Sequence, residues 1–356
     1  MSRPVILGAG PAGCAAAIAL ARAGRRPLLL EREARPAEKV CGEFLAADAA
    51  AAIAALGLDL PALGAVPIAR GVMAAGHRRA AMDLPFAAWG LPRATLDATL
   101  LALARESGAE VRAGTAATGA GRLGDGWRLR LADGEVLDAT QLVLATGKHE
   151  LRGARRGARG GAIGVKLPLR GVGVDGTIVL LACAGGYAGL QPRPGGEANL
   201  CAALDPRAPG VAAAARDGRA FLAHVMAGSS LAECLLRDAV PLLPRPLTVA
   251  GVPYGFVARG GLPGMFRAGD QAAVIPSFCG DGVAMALGSG RRAAEAILAG
   301  RDAPAHHAAW AGRIGGAMRL AGLLGGLVTR APGLLVAGAA LSPGLAAWAA
   351  RRTRSG

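Results

Sequence analysis

Lysine is almost missing from this chain. Of 40 basic side chains in 356 residues, only those at 39, 148 and 166 are lysines; the rest are arginines. Aromatic residues make up 3% of the sequence, and the two tyrosines are Tyr187 and Tyr254. A formal charge of +15 raises nucleic acid or anionic lipid as partners. The arginines are spread along the sequence, however, and so few aromatics leave few platforms on which bases could stack. Nucleic-acid binding is therefore not expected. The one local basic run, from Arg152 through Arg155 and Arg156 to Arg159, reads as a solvated loop. Cysteines at 14, 41, 183, 201, 234 and 279 form no C-x-x-C pair and no zinc-like spacing. His306-His307 has no Cys or acidic partner in register, so no metal site is expected. With no leader ahead of the first apolar run, the expected compartment is the reducing cytoplasm.

What is present begins at Val5. The apolar run Val5-Ile6-Leu7 leads into Gly8-Ala9-Gly10-Pro11-Ala12-Gly13, and an Ala-rich helix follows from Cys14 to Ala23. A second apolar run, Pro27 to Leu30, ends in Glu31. Strand, Gly-x-Gly-x-x-Gly turn, helix and terminal acid form the dinucleotide fingerprint. Gly8 permits the tight turn, Gly10 admits a pyrophosphate to the backbone, and Gly13 lets helix and strand pack closely. The helix N-terminus offers free N–H groups to phosphate, and Glu31 is placed to accept hydrogen bonds from a ribose. Gly119 to Gly124 repeats the glycine spacing, but an alternating strand follows it and no helix opens there. That copy reads as a hairpin turn.

Further along, a helix is expected from Ala94 to Ser107, then strands at Glu110–Arg112, Trp127–Leu131 and Gln141–Gly147. Residues 151–250 carry strands near 162–167, 177–183 and 197–204 and a helix near 211–227. Gly269-Asp270 and a helix over about 282–299 return the chain to the nucleotide site. The expected fold class is α/β: a Rossmann-like nucleotide-binding domain (1–70, 92–150 and 251–300) interleaved with an antiparallel-sheet substrate domain (71–91 and 151–250). C-terminal helices fill 301–356.

Four segments together resemble the flavoprotein superfamily of aromatic hydroxylases, and within it the geranylgeranyl-reductase-like branch. They are Gly8–Gly13 with Glu31; Lys39-Val40-Cys41-Gly42; Arg93-Ala94-Thr95-Leu96-Asp97; and Gly269-Asp270-Gln271 continuing to Gly280-Asp281-Gly282-Val283. Ala145-Thr146-Gly147 and Gly186-Tyr187 through Pro192 match more weakly. The resemblance implies FAD as cofactor and NAD(P)H as transient electron donor. It places Gly8, Gly10, Pro11, Ala12 and Gly13 on the pyrophosphate, Glu31 on the adenosine ribose and Ala117 at the adenine. Cys41 and Gly42 would lie beside the flavin, and Arg93 on the diphosphate or ribityl region. Asp270 would meet the ribityl hydroxyls, and Gly280, Gly282 and Val283 would bring a helix N-terminus to the flavin pyrimidine edge. Cys41 and Tyr187 are the candidate catalytic residues, as proton donors or as cavity wall. Lys166 lies on a strand facing the substrate side.

Two departures stand out. No Asp-Gly motif of the hydroxylase branch follows Gly147, and the tryptophan-lined motif of flavin halogenases is missing. The implied activity is an FAD-dependent oxidoreductase acting on an apolar small molecule, prenyl, polyketide or aromatic. Two chemistries stay open: oxygen activation for hydroxylation, or hydride transfer to C=C as in a reductase of a membrane lipid. A flavin-binding module without catalysis is the remaining reading.

Residues 331–350 carry no charge and precede Arg351-Arg352. Their length suits one bilayer crossing, but Pro332 and Pro343 break the helix. Paired helices are the expectation, either packed on the FAD domain or in peripheral membrane contact through 317–350. The sequence does not fix the oligomeric state.

Overall fold

The structure is a computed structural model that describes residues 3–158 and 161–354. Two sheets share one cavity. The first has five strands, in the order Met265–Arg267, Leu142–Leu144, Val5–Leu7, Leu28–Glu31, Glu110–Ala113. Every pair in it is parallel. Its strands are near-continuous Val/Ile/Leu runs because both faces are covered, one by helices and the other by Trp127, Leu129 and Leu131 of strand Gly126–Leu131, so there is no solvent side to alternate with. Helix Pro11–Arg22 packs on one face, against helices Arg93–Glu106 and Gly282–Leu298.

A Cβ at Gly13 would stand 1.8 Å from the Gly8 carbonyl oxygen, so only glycine lets the helix sit this close to the turn. Helix Gly282–Leu298 crosses just as tightly, since a Cβ at Gly290 would meet the Ala12 carbonyl at 2.0 Å. The return of the chain to this domain is built on that crossing.

The second sheet has nine strands, eight in one path and Leu247–Val252 beside it, and is antiparallel except where Thr177–Cys183 runs parallel to Val66–Ala75. Its core strands are Ala162–Arg170, Glu197–Leu204, Gly186–Arg193 and Thr177–Cys183. Short helices Gly218–Met226 and Ser230–Leu236 cover one face, capped by the Asp217 and Ser229 side chains accepting from the Ala220 and Ala232 N–H groups. Leu, Val and Ala from sheet and helices form a buried core there. The other face looks across the cavity at the nucleotide sheet.

Strand pairing crosses the expected domain limits. The boundary at residue 70 falls inside strand Val66–Ala75, and Phe44–Leu45 and Leu247–Val252 pair into the large sheet. Propensity cannot show which of two sheets a short strand will join. The helix expected over 211–227 is two, Val211–Ala214 and Gly218–Met226. The second glycine-rich copy is also corrected: Ala117–Leu123 is itself a strand, in a three-stranded meander with Gly126–Leu131 and Val136–Ala139.

The C-terminal region is helix Ala303–Arg330, then Pro332–Leu341 and Pro343–Arg352. Each of the last two opens with proline in its first turn, where the missing N–H costs nothing. Among the described residues no single helix is long and apolar enough to cross a membrane. Ala303–Arg330 and Pro332–Leu341 meet length and apolarity together only as a pair, and the chain bends 114° between them.

Candidate active site

One cavity of about 1350 Å³ runs from the glycine turn, past the residue 38–43 loop, to the C-terminal helices. At its nucleotide end, helix Pro11–Arg22 begins at Gly10 with no side-chain cap. Its first-turn N–H groups are left for a ligand, which is how a helix start binds phosphate. Gly8, Gly10, Pro11 and Ala12 line the cavity, whereas Gly13 lies behind them in the packing. The Glu31 carboxylate accepts from the Ala9 N–H at 2.7 Å and the Glu33 N–H at 3.1 Å. Those bonds fix its orientation, and a carboxylate has further lone pairs for ribose hydroxyls. Ala117 and Glu31 both line this end. An adenosine diphosphate fits this cradle, because each glycine stands where a Cβ would clash or where a phosphate must approach.

Arg93 heads helix Arg93–Glu106, and its guanidinium forks onto Asp97 with two 2.9 Å bonds. That pairing holds it over the turn, with Nη2 3.7 Å from where a Gly10 Cβ would be. Asp270, on the turn Gly269–Gln271, accepts from Lys148 Nζ at 2.9 Å. Burial pushes the Asp270 carboxyl up, but Lys148 beside it outweighs this and holds it below its ordinary range. Asp270 therefore stays ionised, as an acceptor for hydroxyl groups must. Arg156 braces this corner by donating to the Asp270 and Lys148 carbonyls at 2.8 and 2.9 Å. The basic run is thus not wholly a solvated loop: the Arg156 side chain is 2% exposed. Arg159 lies outside the described residues.

Opposite, Gly280 turns the chain with φ 68° into helix Gly282–Leu298. Gly280, Gly282 and Val283 line the cavity, as the flavin placement requires. Arg354, near the C-terminus, lies 3.7 Å from Asp281 and stacks 4.2 Å above Phe86. Sequence reading missed this contact, since nothing in the last residues announces a buried arginine.

Cys41 and Gly42 line the cavity on a loop tied to the large sheet. Asn199 donates to both of their carbonyls at 3.0 Å. On either side of them sit the acids of a buried ion cluster. Lys166, 0% exposed, donates to Glu38 and Glu43 at 2.5 and 2.6 Å. Arg193 reaches Glu38 at 2.5 Å and Glu43 at 3.3 Å. Burial alone would pull the Lys166 ammonium down, but Glu43 and Glu38 outweigh it and hold it above its ordinary range. Glu43 also accepts from the Arg93 N–H at 2.9 Å and has the one positive φ, 62°, among the described non-glycine residues. Lys166 is thus locked beneath the loop rather than presented to the cavity. Only Lys166, charged within an apolar strand, carried a signal in the sequence; Glu38, Glu43 and Arg193 carried none.

Both tyrosines converge on Ser277. Tyr187 Oη and Ser277 Oγ are 2.9 Å apart, and Tyr254 donates to the same Oγ at 3.1 Å. The Phe278 N–H donates to Tyr187 Oη at 3.2 Å. Burial raises the Tyr187 hydroxyl well above its ordinary value, so it is a neutral donor at physiological pH. With Tyr254 donating to Ser277, Ser277 is free to donate to Tyr187. The Tyr187 oxygen then accepts twice, and its own proton is left for the cavity it lines.

Residues 6–40 match the NAD(P)-binding Rossmann-like domain family. The chain is 29% identical over 329 residues to a menaquinone reductase of Mycobacterium tuberculosis, covering 84% of this chain and 76% of that protein. A menaquinone reductase of Mycolicibacterium smegmatis is 28% identical, covering 83% and 76%. Among solved structures, a flavin-dependent brominase superposes with TM-score 0.81 at 20% identity, covering 99% of this chain and 93% of that one. A geranylgeranyl bacteriochlorophyll reductase-like protein of Thermoplasma acidophilum superposes with TM-score 0.74 at 19% identity, covering 95% and 90%. At these identities the two structures establish the fold.

Proposed function

We propose that this chain is an FAD-dependent oxidoreductase that reduces a carbon–carbon double bond in an isoprenoid lipid of the menaquinone class, with NAD(P)H as electron donor. FAD, when bound, supplies the hydride. The glycine turn and Glu31 hold its adenosine half, Arg93 its diphosphate and Asp270 its ribityl chain. Gly280, Gly282 and Val283 meet its pyrimidine edge, beside Cys41 and Gly42.

The observation that carries this reading is the character of the cavity beyond the flavin end. There it is walled by Val72, Met82, Leu180, Leu335 and their neighbours, with the Tyr187–Ser277–Tyr254 hydroxyls at one side. A chain of apolar carbons fits such a wall. Saturating a C=C bond requires one proton on the carbon opposite the hydride, and Tyr187 is a neutral acid able to give it. Ser277 and the half-buried Tyr254 can then return a proton to Tyr187. Cys41, whose Sγ accepts from the Glu43 N–H at 3.3 Å, forms cavity wall in this scheme. The curated relatives named menaquinone reductases support the substrate class.

The test is anaerobic reduction of the FAD-loaded protein by NAD(P)H, followed by menaquinone and mass analysis of the lipid. A gain of two hydrogens is expected. Tyr187→Phe should keep flavin reduction and lower product formation about a hundredfold, the usual contribution of a general acid. Cys41→Ser should stay within about tenfold, or roughly 1.4 kcal/mol in the barrier. An oxygen-dependent product carrying a new oxygen atom would overturn the proposal. A Cys41→Ser collapse with normal Tyr187→Phe turnover would move the acid to Cys41.

A further inference from the structure

From Ala303 to the last residue the sequence holds six arginines and no aspartate or glutamate. The three helices of this region place several of those arginines in line with exposed apolar side chains. On Ala303–Arg330, the exposed positions Arg319, Leu323, Leu327 and Arg330 recur at spacings of four, four and three, which is one stripe of a helix. On Pro343–Arg352, exposed Leu345, Trp348 and Arg352 form a second stripe at spacings of three and four. Between them, Leu334 and Leu341 on Pro332–Leu341 are 69% and 87% exposed, one heptad apart. Leaving such leucines in water is unfavourable, and scattered single leucines would not line up in this way.

The mouth of the cavity lies on this same surface, because Leu327, Leu334 and Leu345 both line the cavity and are exposed. The 114° bend rules out a straight crossing by this pair, and the exposed stripes suit helices lying along a surface. Apolar side chains flanked by arginines, with a tryptophan among them, match an interface in which carbon enters the acyl boundary and guanidinium groups reach anionic headgroups. A second copy of this chain would set these arginines against like charge, since the surface offers no acid of its own.

We infer that the C-terminal helices dock this protein on the surface of an anionic bilayer, with the cavity mouth facing the lipid. A lipophilic substrate then reaches the flavin without crossing water. The docking stands on the surface itself, and vesicle binding needs no turnover, so its failure is separable from that of the proposed reaction.

The test is co-sedimentation of the FAD-loaded protein with phosphatidylglycerol and with phosphatidylcholine vesicles. At least tenfold stronger partitioning onto phosphatidylglycerol is expected, weakening as salt is raised. Leu341→Glu with Trp348→Glu should lower partitioning at least tenfold while flavin content and melting temperature are kept. The milder Trp348→Ser should lose binding in the same direction, which guards against a misfolded double variant. Arg330→Ser with Arg352→Ser should remove the preference for phosphatidylglycerol. Equal or absent binding to both vesicles would overturn the inference, as would unchanged binding of both apolar variants. A wild-type dimer that ignores vesicles and is split by Leu341→Glu would assign the surface to a second copy instead.

Discussion

The cavity has two polar walls that keep their shape in different ways. On the nucleotide side the wall is backbone: the Gly8 turn, the start of helix Pro11–Arg22 and the start of helix Gly282–Leu298. On the large-sheet side it is a loop pinned by side chains, through Glu38, Glu43, Lys166, Arg193 and Asn199. The first wall is local, complete within some 25 residues of chain apart from the returning helix. The second joins residues 123 to 158 positions apart. A backbone wall fails by steric exclusion and does so all at once. A wall made of ions fails in proportion to the charge left unpaired, and it can be repaired by removing the opposite charge.

The largest effect is expected at Gly13→Ala, whose Cβ would lie 1.8 Å from the Gly8 oxygen. Neither atom can yield without moving strand or helix, so a loss of about 4 kcal/mol or more is expected. Purification should give little folded protein and no yellow colour. Recovery of a stable variant with full FAD content would show that the turn is softer than its contacts indicate.

Next in size is Lys166→Met. It leaves the buried carboxylate of Glu43 with Arg193 as its remaining cation, and losing one partner of a buried pair costs about 3–5 kcal/mol. Urea unfolding should report that loss. Lys166→Met combined with Glu43→Gln should return more than half of it, because the stranded charge is gone. If the double variant is no better than the single, the cluster is not held by charge. Glu43→Ala should also lower flavin occupancy, since the loop bearing Cys41 and Gly42 loses its anchor.

The smallest effect per residue lies outside both walls and marks their background. His306 and His307 are buried, and burial lowers each to about 4. His307 must be neutral at Nε2 to accept the Arg267 N–H at 2.8 Å. In the unfolded chain both would titrate near 6.5, so unfolding takes up protons below that value. Stability is therefore full above about pH 6.5 and is lost as the pH falls towards 4, by roughly 2 kcal/mol per histidine at pH 5. Melting temperatures at pH 7 and pH 5 check this, and His307→Gln should reduce the difference by about half. A melting temperature that does not fall at pH 5 would mean that the two rings are open to solvent.

The sequence by itself determined the nucleotide wall. Gly8, Gly10 and Gly13 are spaced by the geometry of one strand–turn–helix unit, and Glu31 follows at the end of the next strand, so a short-range pattern carried the whole cradle. It also determined the breaks at Pro332 and Pro343, because proline cannot continue a helix. Tertiary structure alone decided which sheet Phe44–Leu45 and Val66–Ala75 would join, that Arg156 would be sequestered, and that Tyr187 and Tyr254 would share Ser277. The same holds for Lys166, whose odd place in an apolar strand was visible while its partners were not. The reason is physical. Backbone sterics and turn geometry act between neighbours and leave a mark at fixed spacing, whereas a buried charge is satisfied by whichever opposite charge the fold brings within 3 Å, and no spacing encodes that.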